Sequence, residues 1–341
     1  RVGGAMLAVD PAAWLVAATS GPNLSSPHPV LDGLARGWNG PYMAQAGAMV
    51  HATSFHLYKD QPRQWDPYSL TLTAKSPTRS RQQSALRYFR ELLERATPSG
   101  EARVTRISLD EWALGPPWAT DTWGAAHALF AAVFLTQLVQ MAPSLGIVSA
   151  NYYEPINEGA VSVAPHDAKL TALGEAFELY ARHQGQHLLR TPSEWVQGGS
   201  GGRKAAEMDD DLSVLASLDG SCSGGGTPPT ASPPTLLLTL ANSNAASPRM
   251  IRVGVPVGGE CALDPTLPMA ATVLEAVGVD PTKSFRIGTP GTFERREEQL
   301  RWAVTSGVPR PSLELSVEIP AYSIVQVAVT LQWRGSGSSK A

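Results

Sequence analysis

The alternation of apolar and polar positions divides the chain into two parts. In the first part, residues 5–186, short apolar runs alternate with helical patterns about every 40–50 residues. The apolar runs predict strands near residues 14–18, 50–56, 104–109 and 146–150. Apolar residues at three- and four-residue spacing predict helices over residues 79–95, 123–141 and 168–183. Strands that alternate with helices are typical of βαβ units in a parallel sheet.

The pattern changes after residue 186. Short β-type runs with turn residues between them replace the helical spacing, and no convincing helical pattern follows. These runs cover residues 212–218, 236–241, 251–257, 271–276, 313–319 and 324–331. In the fifth run apolar and polar residues alternate strictly, which indicates one buried face and one exposed face. The second part is therefore predicted to be a β-sandwich.

Two further segments follow neither pattern. Residues 220–234 are rich in Gly, Pro and Ser and predict a disordered insertion, and residues 336–341 predict a flexible tail. We therefore predict an α/β domain over residues 1–186 and an all-β domain over residues 187–335. The four strands of the first domain correspond to half of an eight-stranded barrel or to a small open sheet.

The amino-acid composition limits the classes of binding partner that we expect for the chain. The 341 residues are 43% hydrophobic and 17% charged, which is compatible with a large buried core. The net charge of -3 gives no support for electrostatic binding of nucleic acid. No apolar run reaches the ~18 residues that span a bilayer. The longest, residues 125–139, contains His127 and Gln137 and is predicted to be a buried helix. We predict neither a nucleic-acid partner nor a membrane partner.

The two cysteines and the first residues of the chain bear on the cellular location of the protein. Cys222 and Cys261 show no metal-ligand spacing, and either a disulfide or two free thiols fit the sequence. Arg1 begins a segment that is not a signal peptide, as expected for a processed chain or a fragment. We predict no metal and no cofactor. The localisation stays open, although a disulfide would suit a secreted or extracellular protein.

The strongest candidate for chemistry is the end of the strand over residues 104–109. There Asp110, Glu111 and Trp112 follow a short apolar run. Catalytic groups of parallel barrels lie at the carboxyl ends of the strands. A carboxylate beside an indole at the end of an apolar strand is a costly placement that usually has a use. The alternative is an acidic residue that begins a loop or caps the next helix.

Other strand ends carry polar and aromatic residues as well. His56 and Tyr58 end the preceding strand, and Asn151, Tyr153 and Glu154 follow the last one. Parallel strands bring these residues to the same edge of the sheet as the acidic pair. Packing at the strand ends and a structural role in loops are the alternatives.

Three tryptophans, Trp112, Trp118 and Trp123, cluster at and after the acidic pair. Aromatic faces stack on the apolar side of sugar rings, so the cluster can contribute to a carbohydrate site. A loop that packs these rings on the rim of a barrel explains the cluster equally well.

Several of these motifs occur in the order of a known family. They are Asp10-Pro11, Ser54 to Tyr58, Leu109 to Trp112, Phe177 to His183, Leu238 to Asn242 and Ile319 to Ser323. In this order the chain resembles the α-L-arabinofuranosidases of glycoside hydrolase family 51, or a close relative in the same (β/α)8 glycosidase clan. The resemblance covers nearly the whole chain, and Asp-Glu-Trp and His-x-Tyr are its most specific motifs.

The resemblance implies a fold class of α/β plus all-β. Residues 1–186 resemble strands five to eight of a TIM (β/α)8 barrel, and residues 187–335 resemble the β-sandwich that follows it. The first half of the barrel precedes the residues that match. The Asn-Glu dipeptide of the family's general acid/base is expected there and not in this chain.

The resemblance also implies a reaction. The implied reaction is the cleavage of terminal sugars from plant-type or other polysaccharides by a retaining glycoside hydrolase. The expected partner is therefore a carbohydrate. Retaining hydrolysis needs two carboxylates, and Glu111 matches the family's nucleophile. Asp110 is expected to accept hydrogen bonds beside it. The substrate-binding positions implied in this way are His56, Tyr58, Trp112, Asn151, Tyr153 and Glu154.

Two alternative functions stay open. The missing acid/base is compatible with a non-catalytic carbohydrate-binding or structural protein. In the other alternative, Glu111 and Glu158 together supply both carboxylates that the reaction needs, although Glu158 follows Glu111 by only one βα unit. The sugar and linkage stay open, because Ala113-Leu114-Gly115 stands where the family tends to have Asn-Val-Trp. The oligomeric state is open too, and a homo-oligomer is compatible with the sequence.

Overall fold

The computed structural model describes a mixed α/β molecule. The described residues are 2–19, 37, 41–42, 45, 50–59, 86–87, 90–91, 94, 106–114, 124–153, 156, 159–189, 212–219, 234–244, 247–256, 261–263, 269–277, 292–300, 303–304 and 312–333. Within them lie four β-sheets and three helices whose bounds are described, and residues 86–87, 90–91 and 94 are helical as well. The predictions outside these residues, or on side chains that are not described, concern Tyr58, Trp118, Trp123, Glu154, Glu158, Cys222, Cys261, the insertion near 220–234 and the tail.

The first sheet is parallel. Helix α1 (Val2–Val9) precedes strands β1 (Val16–Ala18), β2 (Ala52–Lys59), β3 (Arg106–Leu114) and β4 (Ile147–Tyr152). The strands lie in the order β1-β2-β3-β4, and every neighbouring pair is parallel. This order follows when each strand is connected to the next by a crossover on one face. The four predicted strands are confirmed, and within the described residues they form an open sheet and not a closed barrel.

One face of this sheet is covered by helix α2 (Ala125–Leu145). Phe55, Ile107 and Leu109 are fully buried on that face, in one cluster with the apolar residues of the helix. The helix ends at Gly146, whose left-handed backbone (φ 69°) lets its N–H bond to the carbonyl of Ala142. Burial of this continuous apolar face, at roughly 25 cal/mol per Å², is what holds the helix on the strands.

Helix α2 is apolar on nearly every side. Its segment His127–Leu145 is the one stretch of the described residues that is long and apolar enough to cross a membrane, and 61% of its most apolar window is buried within the molecule. His127 and Gln137 are buried as well. A helix that is hydrophobic all round and enclosed by other elements is a core helix. The prediction of a buried helix is confirmed.

A hairpin precedes the third helix, where the sequence predicted a helix from residue 168. Strands β5 (Val161–Ala164) and β6 (Asp167–Leu170) pair antiparallel, and helix α3 (Ala172–Ala181) begins only after them. Thr171 caps α3, because its Oγ1 accepts a hydrogen bond from the N–H of Gly174 and donates one to the carbonyl of Gly159. A Cβ on Gly174 would lie 2.0 Å from the carbonyl oxygen of Ala160, so the close approach of helix and hairpin requires glycine there.

The rest of the described chain is β-structure. Its strands are β7 (His187–Leu188), β8 (Leu212–Asp219), β9 (Thr235–Asn242), β10 (Arg249–Pro256), β11 (Cys261–Leu263), β12 (Met269–Val277), β13 (Thr292–Leu300), β14 (Ala303–Val304), β15 (Ser312–Ile319) and β16 (Ser323–Trp333). A seven-stranded antiparallel sheet has the order β13-β12-β16-β9-β8-β7, with β11 paired to β16. A three-stranded sheet has the order β10-β15-β14. Ile251 and Val317 of the small sheet share one buried core with Leu238 and Val327 of the large one.

The large sheet also contacts the two helices. Leu215, Ala241 and Ile324 belong to the same core as α2 and α3. A polar network crosses this contact: His183 Nδ1 lies 2.6 Å from Ser217 Oγ, and His183 Nε2 lies 2.8 Å from Thr239 Oγ1. A neutral imidazole has one donor and one acceptor nitrogen, which matches two hydroxyl partners. Hydrogen bonds and packing together fix the helices on the sheet.

The network makes His183 a source of pH-dependent stability. Burial lowers the pKa of His183 from its usual 6.5 to about 4. Above pH 6.5 the imidazole is neutral in the native and the unfolded chain, so the free energy of unfolding has its full value. As the pH falls from 6.5 to about 4, the unfolded chain binds a proton that the native chain does not, and the free energy of unfolding decreases. We expect a loss of about 1–2 kcal/mol, because partial exposure of His183 weakens the effect.

Urea unfolding at about pH 7 and about pH 4.5 measures this loss. Carboxylates also titrate in the range, so the matched variant is His183→Gln, which keeps a donor and an acceptor but does not titrate. We expect the wild-type chain to lose more stability between the two pH values than the variant. An equal loss in both would contradict the role of His183.

Candidate active site

A β-bulge in β3 positions the acidic pair. Phe55 of β2 is in register with Leu109, but the next residue, His56, is in register with Glu111, so Asp110 is one extra residue in β3. The pairing with β4 shows the same insertion, because Leu109 is in register with Ala150 and Trp112 with Tyr152. β3 therefore carries one more residue than both neighbours at the acidic pair. Bulges re-aim side chains and occur often beside active sites.

The bulge decides which face of the sheet Glu111 joins. Side chains of a strand alternate between its two faces, so Glu111 would lie on the helix-covered face with Leu109 if the strand were regular. The extra residue shifts the alternation by one position. Glu111 then shares the face opposite α2 with His56, and Trp112 points to the helices.

The face opposite α2 carries a row of small polar residues. Ser54, Ser108 and Ser149 are in register across β2, β3 and β4, and Ser108 Oγ lies 2.7 Å from Ser149 Oγ. His56 stands two residues beyond Ser54 and therefore on the same face. The row of serines leads towards the carboxyl ends of the strands, where His56 and Glu111 lie. Near the acidic pair this face carries polar side chains, whereas Phe55 and Leu109 lie under α2, and we call the two faces the site side and the core side.

The imidazole of His56 contacts both acidic side chains. Its Nδ1 is 3.1 Å from Glu111 Oε2, and its Nε2 is 3.8 Å from Asp110 Oδ1. The shorter contact is within hydrogen-bond distance, so an N–H at Nδ1 can donate to Glu111 and fix the direction of its carboxylate. The side chains of His56, Asp110 and Glu111 are 51%, 37% and 33% exposed. A ligand can therefore reach all three.

Asp110 occupies a different environment from Glu111. Its Oδ1 is shielded from solvent and accepts no hydrogen bond within the described part of the chain. It faces Nε2 of His56 at 3.8 Å. A shielded carboxylate oxygen without a donor is costly, and 3.8 Å is longer than a hydrogen bond, so His56 does not satisfy this oxygen. The two carboxylates therefore differ in that Glu111 lies within hydrogen-bond distance of His56 and Asp110 does not.

The structure corrects the prediction of a substrate contact for Trp112. Its side chain is fully buried. The ring centroid lies 5.0 Å from that of Phe134, 5.1 Å from that of Tyr152 and 5.9 Å from that of Phe177. A ring enclosed by other rings offers no face to a sugar. The physical reason is the bulge, which turns Trp112 to the core side while Glu111 turns to the site side.

The end of β4 carries the remaining predicted residues. Asn151 is exposed, and Tyr153 is partly buried and donates its backbone N–H to the carbonyl of Trp112 over 3.1 Å. This bond continues the β3–β4 pairing past the bulge. Substrate contacts of Asn151 and Tyr153 stay predictions. No group of three or more potential metal-binding side chains occurs among the described residues.

The sequence analysis does not predict a partly buried hydrogen bond next to the site. Tyr152 Oη lies 2.6 Å from Nε2 of His127 in α2. Burial raises the pKa of Tyr152 well above its usual value, so the phenol keeps its proton. His127 stands in an apolar run without a partner nearby in sequence, and its partner lies 25 residues away. A buried histidine in a helix of this kind is itself a signal, because it needs a partner from another element.

Sequence comparison and structure comparison give different results. No family model matches the chain, and no curated protein matches it in sequence. Its fold matches solved structures. The thermostable glycoside hydrolase family 51 α-L-arabinofuranosidase from Thermotoga petrophila RKU-1 matches with a TM-score of 0.63 and 19% identity, over 96% of this chain and 60% of that one.

Two further structures match in the same way. The α-L-arabinofuranosidase from Thermotoga maritima has a TM-score of 0.61 and 19% identity, over 96% of this chain and 60% of that one. A family 51 α-L-arabinofuranosidase from Bifidobacterium longum has a TM-score of 0.61 and 16% identity, over 96% and 62%.

These matches establish the fold. The chain has part of the fold of the family 51 α-L-arabinofuranosidases, and it spans about 60% of the length of these structures. The resemblance inferred from the motifs is confirmed at this level. At such low identity the similarity concerns the fold and not the reaction, which depends on the site.

Proposed function

We propose that the chain is the C-terminal portion of a retaining glycoside hydrolase of the α-L-arabinofuranosidase type. The single observation that carries the proposal is the contact between His56 and Glu111 at the carboxyl ends of two parallel strands. Catalytic groups of parallel α/β barrels lie at this edge. The fold of the matched arabinofuranosidases supports the same class of substrate, a carbohydrate with a terminal sugar.

The finer architecture belongs to the same proposal. Strands β1 to β4 act as strands five to eight of a (β/α)8 barrel within residues 1–186. The two antiparallel sheets act as the β-sandwich within residues 187–335. The sequential parallel order of β1 to β4 and the core shared by the two antiparallel sheets support this assignment.

In the proposed mechanism Glu111 is the nucleophile. A carboxylate oxygen of Glu111 attacks the anomeric carbon, the bond from that carbon to the leaving-group oxygen breaks, and its electron pair leaves with that oxygen. The product is a glycosyl ester of Glu111. His56 Nδ1 orients the carboxylate through the 3.1 Å contact, and Tyr58, Asn151, Tyr153 and Glu154 are the candidates for sugar binding.

The acid/base is the second group that the reaction requires. It protonates the leaving group and later activates water. We assign it to none of the described residues, since the resemblance places it on an earlier barrel strand. An aryl glycoside with a dinitrophenolate leaving group needs no protonation, so it reacts with the nucleophile even where the acid is missing.

This property gives a test on the chain itself. After incubation with a dinitrophenyl α-L-arabinofuranoside, we expect release of one equivalent of dinitrophenolate and a mass increase of one pentosyl unit. Peptide mapping should place the pentosyl unit on Glu111. The corresponding β-D-glucopyranoside is the control for the sugar. Sugar binding without any covalent product would favour a non-catalytic carbohydrate-binding protein instead.

A further inference from the structure

The bulged dipeptide of Asp110 and Glu111 needs support from outside its own strand. The insertion interrupts the ladder between β3 and both neighbours at that point. A bulge leaves its extra residue unpaired and bends the strand. Glu111 keeps its pairing with His56 of β2 but has no partner in β4, so on that side its backbone is held by Leu109 before the bulge and Trp112 after it.

Trp112 is fixed through its ring. Tyr152 meets it edge-on, with ring planes at 89° and centroids 5.1 Å apart, and Phe134 and Phe177 enclose its other sides. Edge-to-face contacts of this kind depend on the orientation of both rings. The position of Trp112, and with it the position of the adjacent Glu111, thus depends on the position of Tyr152.

Tyr152 is in turn fixed by a polar contact. Its Oη lies 2.6 Å from His127 Nε2, and the imidazole of His127 is buried in the rigid helix α2. Next to it, the N–H of Tyr153 bonds to the carbonyl of Trp112. One side-chain bond and one backbone bond therefore connect the end of β4, the core helix and the residue that follows Glu111.

We propose that Tyr152 and His127 are positioning residues for Glu111, which act through Trp112 and touch no substrate. This inference rests on the proposed function. Small displacements of a nucleophile are expensive, because catalysis requires reacting atoms at about 3–3.5 Å in the right direction. Loss of the Tyr152–His127 bond should therefore slow attack by Glu111 more than it weakens sugar binding.

The variant Tyr152→Phe tests this, because it removes only the hydroxyl and keeps the ring on Trp112. We expect the maximal rate constant of pentosyl-adduct formation to fall about ten- to hundredfold, with the half-saturating substrate concentration unchanged within about twofold. His127→Gln, which keeps a donor and an acceptor for Tyr152, should retain most of the rate. His127→Leu should resemble Tyr152→Phe.

The matched control is Tyr180→Phe. Tyr180 is also a buried tyrosine, and its Oη lies 2.7 Å from Thr136 Oγ1 in the same helix α2. Its loss should lower stability similarly and leave the rate constant of adduct formation unchanged. A similar fall in rate in both variants would mean general destabilisation and would overturn the proposal. An unchanged rate in Tyr152→Phe would overturn it as well.

Hydrogen exchange separates this inference from the proposed function. The amide of Tyr153, bonded to Trp112, should exchange roughly fivefold faster in Tyr152→Phe and at the wild-type rate in Tyr180→Phe. A wild-type chain that forms no adduct refutes the proposed function, whatever the exchange. A wild-type chain that forms the adduct while Tyr152→Phe leaves the exchange of Tyr153 unchanged refutes the positioning role alone.

Discussion

Replacement of Glu111 by glutamine is expected to lower the rate constant of pentosyl-adduct formation on the order of 10⁴-fold or more, because an amide oxygen is a poor nucleophile. Glutamine has nearly the shape of glutamate and can still accept a hydrogen bond from Nδ1 of His56, so the fold around it should persist. The measurement is the burst of dinitrophenolate from a dinitrophenyl α-L-arabinofuranoside. Thermal unfolding of the same sample should show a wild-type melting temperature.

Asp110→Asn is the matched control. Asp110 is the neighbouring carboxylate and contacts the other nitrogen of the same imidazole, at 3.8 Å. Asp110 makes no hydrogen bond to His56 and does not attack the sugar in the proposed mechanism, so its loss should slow the reaction by no more than about a hundredfold. Full loss in Asp110→Asn combined with activity in Glu111→Gln would exchange the two roles.

The same two residues illustrate how far the sequence determines the site. Short runs rich in apolar residues located the parallel strands, because the residues that face α2, such as Ile107 and Leu109, must be apolar. The acidic pair marked the end of β3. The bulge was not predictable, since an inserted residue is recognised only against the register of both neighbouring strands. For this reason the sequence predicts a substrate contact for Trp112, whereas the structure places its side chain in the core.

The β-structure was predicted where one face is apolar. The run over residues 313–319 alternates cleanly and forms β15, Ser312–Ile319. By contrast, β13 (Thr292–Leu300) reads Thr-Phe-Glu-Arg-Arg-Glu-Glu-Gln-Leu and was not predicted. It is an edge strand, and charges on an edge prevent pairing with other chains. Most of its side chains are therefore charged, and they show little of the alternation of apolar and polar residues by which a strand is recognised in a sequence.

Hydrogen bonds between polar residues that lie far apart in the chain could not be predicted from the sequence either. His183 and His127 had no neighbour in the chain that indicated a partner, yet each bonds a hydroxyl from a distant element. Such partners are set by packing of the helices against the sheets. The sequence could indicate only that a histidine inside an apolar pattern needs a partner.

Replacement of Trp112 by alanine is expected to cost about 3–5 kcal/mol of the free energy of unfolding, because it removes a fully buried indole and leaves a cavity. Trp112 contacts residues of α2, β4 and α3 at once, so the cavity would open where three elements meet. Partial collapse of the surrounding rings should also move the end of β3. Urea unfolding measures the loss, and a melting temperature well below that of the wild-type chain should accompany it.

Trp14→Ala is the control, because it makes the same substitution at a tryptophan that is about half exposed. We expect it to cost less than about 1 kcal/mol. Trp112→Phe, which keeps a ring in the cavity, should lose less stability than Trp112→Ala. Because Trp112 lies next to Glu111, Trp112→Phe should also slow adduct formation, whereas Trp14→Ala should not. Equal stability losses at the two tryptophans would show that the indole of Trp112 does not hold the core together.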